Sequence, residues 1–233
     1  MQKTDEIGNR KIKAIIFDMD NTLFDFVEAK LRACKAVVEC VGNTDEMELV
    51  EYFLKDKIDI ENIECIARYL KDRNIFSQDK FNECRKIYEE IKLGTILAYP
   101  GVIETLEKVK HAKLRLGVVT DAFKINAMAR LRKAKLEKYF DIIVTADMTG
   151  KKKPEPDSIF YALEKLDVGP KETIFVGDSL HRDIAPANEL GLVTMYAAYG
   201  DRNFMENREN SADFVLKDIR ELIDILASSF NLF

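Results

Sequence analysis

Asp18 and Asp20 stand one residue apart where the apolar run Ala14-Ile-Ile-Phe17 stops. If that run is a strand, alternation points both carboxylates to the same face, and at a strand end they converge on one small volume. Two like charges held that close are costly unless a cation or a shared proton compensates them. The pair therefore points to a metal site or a proton-transfer site; the competing reading is a solvated acidic loop. Three further segments follow. Leu116-Gly-Val-Val-Thr120-Asp121 is an apolar run that ends in a hydroxyl and an acid. Gly150-Lys-Lys-Lys153-Pro-Glu-Pro156 sets Lys153 before a proline, which biases its backbone away from helix. Ile174-Phe-Val-Gly177-Asp178-Ser179-Leu-His-Arg-Asp183 is another apolar run closed by an acid, with a second Asp after it. Singly, each is an ordinary strand, loop or turn. Together, with three of the four at the ends of apolar runs, they argue against coincidence.

This set resembles the motifs of the haloacid dehalogenase superfamily, and within it the Mg²⁺-dependent phosphatases. The pattern Asp-x-Asp-x-Thr matches Asp18, Asp20 and Thr22. The second-motif hydroxyl matches Thr120, and the third-motif lysine matches Lys153 in a Lys-Pro-x-Pro setting. The fourth motif matches Gly177, Asp178 and Ser179, with Asp183 as its later acid. The chain departs from the pattern at Asn21, where many members have Gly, and at Asp121, where many have Asn.

The resemblance implies a division of labour. Asp18 would attack phosphorus and form an aspartyl-phosphate. Asp20 would protonate the leaving group and later deprotonate water. Mg²⁺ would be held by the side chains of Asp18 and Asp178 and the backbone carbonyl of Asp20, with Asp183 behind them or linked through water. Lys153 and Thr120 would stabilise the transferring phosphoryl group. Asp121 and His181 are candidates for the substrate rim, with a solvated helix start as the alternative for His181.

These residues need a scaffold that brings strand ends together. Strand-like runs occur near 13–18, 115–120, 140–145, 172–177 and 193–197, separated after the first by helical patterns. Asp157-Ser158 reads as an N-cap region, Phe214-Val-Leu216 as an edge strand, and Ile219 to Leu226 as a closing helix. The alternation predicts an α/β fold, a doubly wound parallel sheet. Ligands in such sheets bind outside the strand C-termini, where Asp18, Thr120 and Asp178 fall. Residues 26–94 break the alternation. A helix from Val27 to Val41 ends at Gly42, Asn43 with Glu46 resembles a capping box, and helical stripes run over Ile60–Leu70 and Phe81–Ile91. The expected organisation is a Rossmann-like core of 1–25 plus 95–233 and a helical insert, 26–94. The resemblance implies that the insert is a cap, with Phe24–Phe26 and Leu97–Pro100 as its hinges.

Composition sets bounds. The 233 residues are 47% hydrophobic and carry a net charge of −5, which leaves no basic footprint for nucleic acid. No apolar run reaches the roughly 20 residues of a membrane span. Met1 to Lys13 lacks the apolar segment of a signal peptide, so a cytoplasmic protein, monomer or homodimer, is expected. Cys34, Cys40, Cys65 and Cys84 all lie in the insert without a Cys-x-x-Cys, which favours reduced, buried thiols over zinc, with a disulfide within the insert as the alternative. The expected activity is hydrolysis of a small soluble phosphate monoester. The rivals are a phosphomutase acting on a sugar phosphate and a non-catalytic regulator on the same fold.

Overall fold

A computed structural model of the chain describes residues 7, 8, 10–45, 47–55, 63–202 and 210–233. The chain divides into two compact units, one of Met1–Asp25 with Leu97–Phe233 and one of Phe26–Ile96.

The first unit is built on one sheet. Its strands are β1 (Ala14–Phe17), β2 (Arg115–Val119), β3 (Ile142–Val144), β4 (Thr173–Gly177), β5 (Val193–Ala197) and β6 (Phe214–Leu216). Their order is β3-β2-β1-β4-β5-β6, and every neighbouring pair is parallel. A parallel sheet is covered on both faces, so its inner strands must be apolar throughout rather than alternating. Ala14, Ile15, Ile16 and Phe17 are accordingly all buried. One face packs Ile16, Val119, Val144 and Phe175 against Ile159 and Leu163. The expected α/β fold, doubly wound on a parallel sheet, is therefore the observed one.

The second unit is helical. Among its described residues are α1 (Phe26–Cys40), α2 (Met47–Lys55), α3 (Glu64–Asp72) and α4 (Gln78–Gly94), and no strand. Its core joins Val37, Leu49, Phe53, Ile66, Leu70 and Tyr88, with Phe53 stacked on Tyr88 at 5.4 Å between ring centroids. Ser77 caps α4 by accepting the Lys80 N–H at 3.1 Å. At the start of α2, Asp45 Oδ1 accepts the Met47 N–H at 3.0 Å; Glu46 of the expected capping box and Ile60 of the expected stripe lie outside the described residues. All four cysteines are free thiols, three of them buried.

The remaining helices are α5 (Val102–His111), α6 (Lys124–Lys133), α7 (Ala146–Thr149), α8 (Asp157–Leu166), α9 (Ala185–Glu189) and α10 (Glu221–Phe230). One local expectation is corrected. Asp157 and Ser158 do not cap α8; they form its first turn, with Pro156 at the cap position and no side-chain cap bond. Phe24 pairs antiparallel with Ala98, and the Tyr99 N–H donates to the Leu23 carbonyl at 3.0 Å. Phe26 opens α1 instead of extending that pairing. No described helix is long and apolar enough to cross a membrane.

Candidate active site

The sheet order decides which side chains meet. β1 lies between β2 and β4, with Phe17 level with Val118 on one side and Val176 on the other. The residues just past those strands therefore emerge together: Asp18 after β1, Thr120 after β2 and Asp178 after β4. β1 is also where the winding reverses, and the crevice at such a switch point is where these folds bind ligands. The backbone holds the arrangement. Asp18 N–H donates to the Val176 carbonyl at 2.8 Å, and Thr120 N–H donates to the Val144 carbonyl at 3.0 Å.

The turn after β1 reverses within a few residues. Asn21 takes a left-handed φ of 62°, a conformation Gly adopts freely and Asn tolerates better than most residues. That is the physical sense of an Asn where Gly is common. Thr22 folds back and donates from Oγ1 to Asp18 Oδ2 at 3.2 Å. Gly200 leaves the room this turn needs, since a Cβ there would collide with the Asn21 carbonyl.

After β4 the chain enters a π-helical turn, Leu180–Ile184, which directs Asp183 inward, fully buried. Gly177 makes this possible: a Cβ there would lie 2.5 Å from Asp183 Cβ. Asp183 Oδ2 accepts the Ser179 N–H at 3.0 Å, and Oδ1 accepts from Lys153 Nζ at 2.6 Å. Lys153 is itself buried and also donates to Asp18 Oδ1. One ammonium thus bridges two carboxylates.

Asp18, Asp178 and Asp183 form a buried trio whose oxygens lie within 4.8 Å of one another. Burial, then the charges of Asp18 and Asp183, raise the Asp178 carboxyl well above the usual carboxylate range. Burial likewise raises Asp183, against the pull of Lys153. For Lys153 burial opposes the charge, but Asp18, Asp183 and Asp121 outweigh it and raise the ammonium. Counting Asp121 and its partner Arg182, two more carboxylates than cations gather here. Asp178 Oδ1 is buried with no hydrogen-bond partner among the described residues. An orphaned anionic oxygen in an all-oxygen cluster with that charge excess fits a hard divalent cation, and Mg²⁺ is the ion such donors suit.

Thr120 is buried, and its Oγ1 accepts the Ala122 N–H at 3.2 Å, which leaves the hydroxyl proton to be donated elsewhere. Asp121 Oδ2 lies 3.4 Å from Arg182 Nη1. Asp20 does not share the trio's side-chain contacts. Its Oδ2 accepts from Arg130 Nη1 at 2.7 Å. His181 is exposed. Asp147 is committed to the start of α6, where its Oδ1 accepts the Lys124 N–H at 2.8 Å. Arg130 is the residue that sequence reasoning passed over. It stands with Ala127, Leu131 and Ala134 at helical spacing, and a lone arginine on an apolar stripe was the available signal.

The model of the haloacid dehalogenase-like hydrolase family matches residues 15–197. The chain belongs to that family. It is a phosphatase of the group, a hydrolase acting on phosphate monoesters. It is 31% identical to a glyceraldehyde 3-phosphate phosphatase of Methanocaldococcus jannaschii, over 92% of this chain and 97% of the relative. It is 26% identical to the pyrophosphatase PpaX of Oceanobacillus iheyensis, over 94% of this chain and 99% of that protein. Among solved structures it resembles the hydrolase YfnB of Bacillus subtilis, bound to magnesium, with a TM-score of 0.72 and 19% identity over 93% and 99% of the two chains. At that identity the likeness speaks for the fold.

Proposed function

We propose that the phosphatase hydrolyses a small phosphorylated metabolite by double displacement through Asp18. The observation that carries this reading is the Lys153 ammonium held between Asp18 and Asp183 beside the orphaned oxygen of Asp178. A carboxylate attacking a phosphate dianion faces strong repulsion, and the Lys153 ammonium together with a divalent cation among these acids would suppress it. Asp18 and Asp178 through their side chains, Asp20 through its backbone carbonyl and Asp183 beside them would hold Mg²⁺. When bound, that ion would neutralise charge on the phosphoryl oxygens.

The chain's own residues supply the rest. Asp18 attacks phosphorus and becomes an acyl phosphate while the leaving alkoxide takes a proton from Asp20. Asp20 then removes a proton from water, which attacks the same phosphorus and frees Asp18 and inorganic phosphate. Lys153 and the Thr120 hydroxyl steady the oxygens of the moving group. Asp121 and His181 belong to the substrate rim in this reading. The helical unit acts as a lid that selects the leaving group and keeps bulk water from the acyl phosphate. The relative from M. jannaschii favours a phosphorylated short-chain sugar as the substrate class.

The test is a panel of phosphorylated metabolites assayed for inorganic phosphate and for isomerised product. Release of phosphate from small sugar or acid phosphates, abolished in Asp18→Asn, supports the reading. Isomerisation with little release would replace it with a mutase.

A further inference from the structure

We propose that Arg130 is the positioning residue for Asp20, and that Asp20 carries its transferable proton at Oδ1. The inference rests on the acid–base role given to Asp20 above.

Arg130 lies on α6 with its side chain only 4% exposed, while that of Asp20 is 23% exposed. Burying a guanidinium beside Ala127 and Leu131 takes a full charge out of water, a cost that packing alone does not repay. Such a charge is tolerated only where carboxylates and carbonyls answer its donors. The answer includes Asp20 Oδ2, 2.7 Å from Nη1 across 110 positions of sequence. Guanidinium is planar, with its donors in a fixed fork, so it sets the direction of a carboxylate as well as its distance. It also stays protonated at any working pH, so it cannot compete for the proton in transit.

The two oxygens of Asp20 are thereby made unequal. Oδ2 already accepts from Arg130. Oδ1 is buried and has no hydrogen-bond partner among the described residues. A proton on Asp20 belongs on Oδ1, because protonating Oδ2 would leave the Arg130 N–H facing the weaker hydroxyl acceptor instead of the carbonyl oxygen. The backbone is fixed separately: Asp20 pairs with Phe24, and Asn21 N–H donates to the Phe24 carbonyl at 2.8 Å. Arg130 thus has one freedom left to remove, the rotation of the carboxylate. The same β2–α6 segment that presents Thr120 also carries this anchor.

The experiment measures kcat and KM for an alkyl phosphate and for nitrophenyl phosphate. It uses the wild type, Arg130→Lys, Arg130→Met, Asp20→Asn and the double variant, with thermal melts as a check on folding. A misplaced catalytic group costs about 10²-fold, so Arg130→Met should lose that much kcat on the alkyl ester and little KM. The loss should be under about 10-fold on nitrophenyl phosphate, which needs little help to leave. Arg130→Lys should recover only part of the alkyl loss. In the Asp20→Asn background, Arg130→Met should cost nothing more. Equal losses on the two esters, or a full further loss in the double variant, would overturn the assignment. If Arg130→Met fails to fold, Arg130→Lys carries the same two comparisons. An Asp20→Asn variant indifferent to the leaving group would instead bring down the acid–base reading beneath it.

Discussion

Asp121 Oδ1 accepts the backbone N–H of Lys153 at 2.9 Å. Its other oxygen meets Arg182 at 3.4 Å. The acid that follows Thr120 therefore ties the loop that carries Lys153 to the turn that carries Asp178 and Asp183. The sequence makes Asp121 a candidate for the substrate rim; these two bonds give it a brace.

The brace predicts an ordered pair of variants. Asp121→Asn keeps an acceptor for the Lys153 N–H and should stay within about 10-fold of wild-type kcat/KM. Asp121→Ala releases the Lys153 loop and should cost about 10²-fold, the scale of a misplaced group. Steady-state assays of purified, folded variants decide it. Equal effects would mean that the hydrogen bond to Lys153 contributes nothing.

Asp18 should be the one residue whose amide kills turnover outright. In Asp18→Asn the one remaining oxygen still accepts from Lys153, and the amide N–H can donate to the Thr22 hydroxyl oxygen, so the fold should persist, with a far-UV spectrum like that of the wild type. No acyl phosphate can form on it, and phosphate release should fall to background. Turnover within tenfold of wild type would remove Asp18 from the mechanism.

Metal and pH should act on stability together. Burial and the neighbouring charges raise Asp178 in the folded state, whereas an unfolded Asp titrates near ~3.9. Between those two values the folded state binds more protons than the unfolded chain, so the metal-free protein loses stability as pH rises. A cation that binds only the folded site supplies the missing counter-charge. Mg²⁺ should therefore raise Tm more at pH 8 than at pH 5, and Asp178→Ala should flatten the difference. The check is differential scanning fluorimetry across pH, with chelator as the reference. An equal Mg²⁺ shift at both pH values would contradict the charge-excess account.

The helical unit offers a test of stability alone. The Tyr88 hydroxyl is buried with no hydrogen-bond partner among the described residues, while its ring stacks on Phe53 and lies under the Lys92 ammonium at 4.9 Å. Tyr88→Phe keeps the ring and removes an unsatisfied polar group. It should stabilise the protein by about 1 kcal/mol, the lower end of what such burial costs. Denaturant unfolding would show it, and a clear loss of stability would reveal a partner for that hydroxyl.

Thiol chemistry should follow burial. Desolvation pushes Cys34 up to about 12 and Cys84 up to about 11, so both are protonated at neutral pH and inert to reagents that need a thiolate. Cys40 is only half-buried. Titration with an aromatic disulfide near pH 8 should find one fast thiol in the folded protein and four after denaturation. Four fast thiols without denaturant would mean that the helical core opens readily.

Much of the architecture was legible because parallel strands are continuous apolar runs and their ends are abrupt. Ile174-Phe-Val-Gly177 and Val193–Ala197 lie where the pattern puts them. For the third strand the apolar pattern points to a start at 140, two residues before the observed one. It begins at Ile142 because Asp141 turns its carboxylate to the Leu116 N–H at 2.7 Å and to Lys110, a partnership between distant segments that periodicity does not register. The helix start at Asp157 departs from its local pattern for a related reason, since Asp-Ser has the composition of a cap while Pro156 already occupies that position. In the site, Asp18, Asp178 and Lys153 could be picked out because each ends a run or precedes a proline, whereas the roles of Asp20 and Asp183 come from the motif resemblance. Arg130 could not be paired with Asp20 from sequence, because nothing local to α6 says which carboxylate a buried arginine will meet.

The wide turn at Leu180–Ile184 has a consequence for insertions and deletions. Both Asp183 N–H and Ile184 N–H donate to the Ser179 carbonyl, at 3.0 and 3.1 Å, so the turn holds one residue more than an α-helix would. Removing a single residue between Ser179 and Asp183 would restore ordinary helical pitch. It would also rotate the acid by about 100° around the axis, one residue's share of a 3.6-residue turn. Length in this stretch is therefore phase: a family member one residue shorter here would have to draw its inward carboxylate from a different place in the chain.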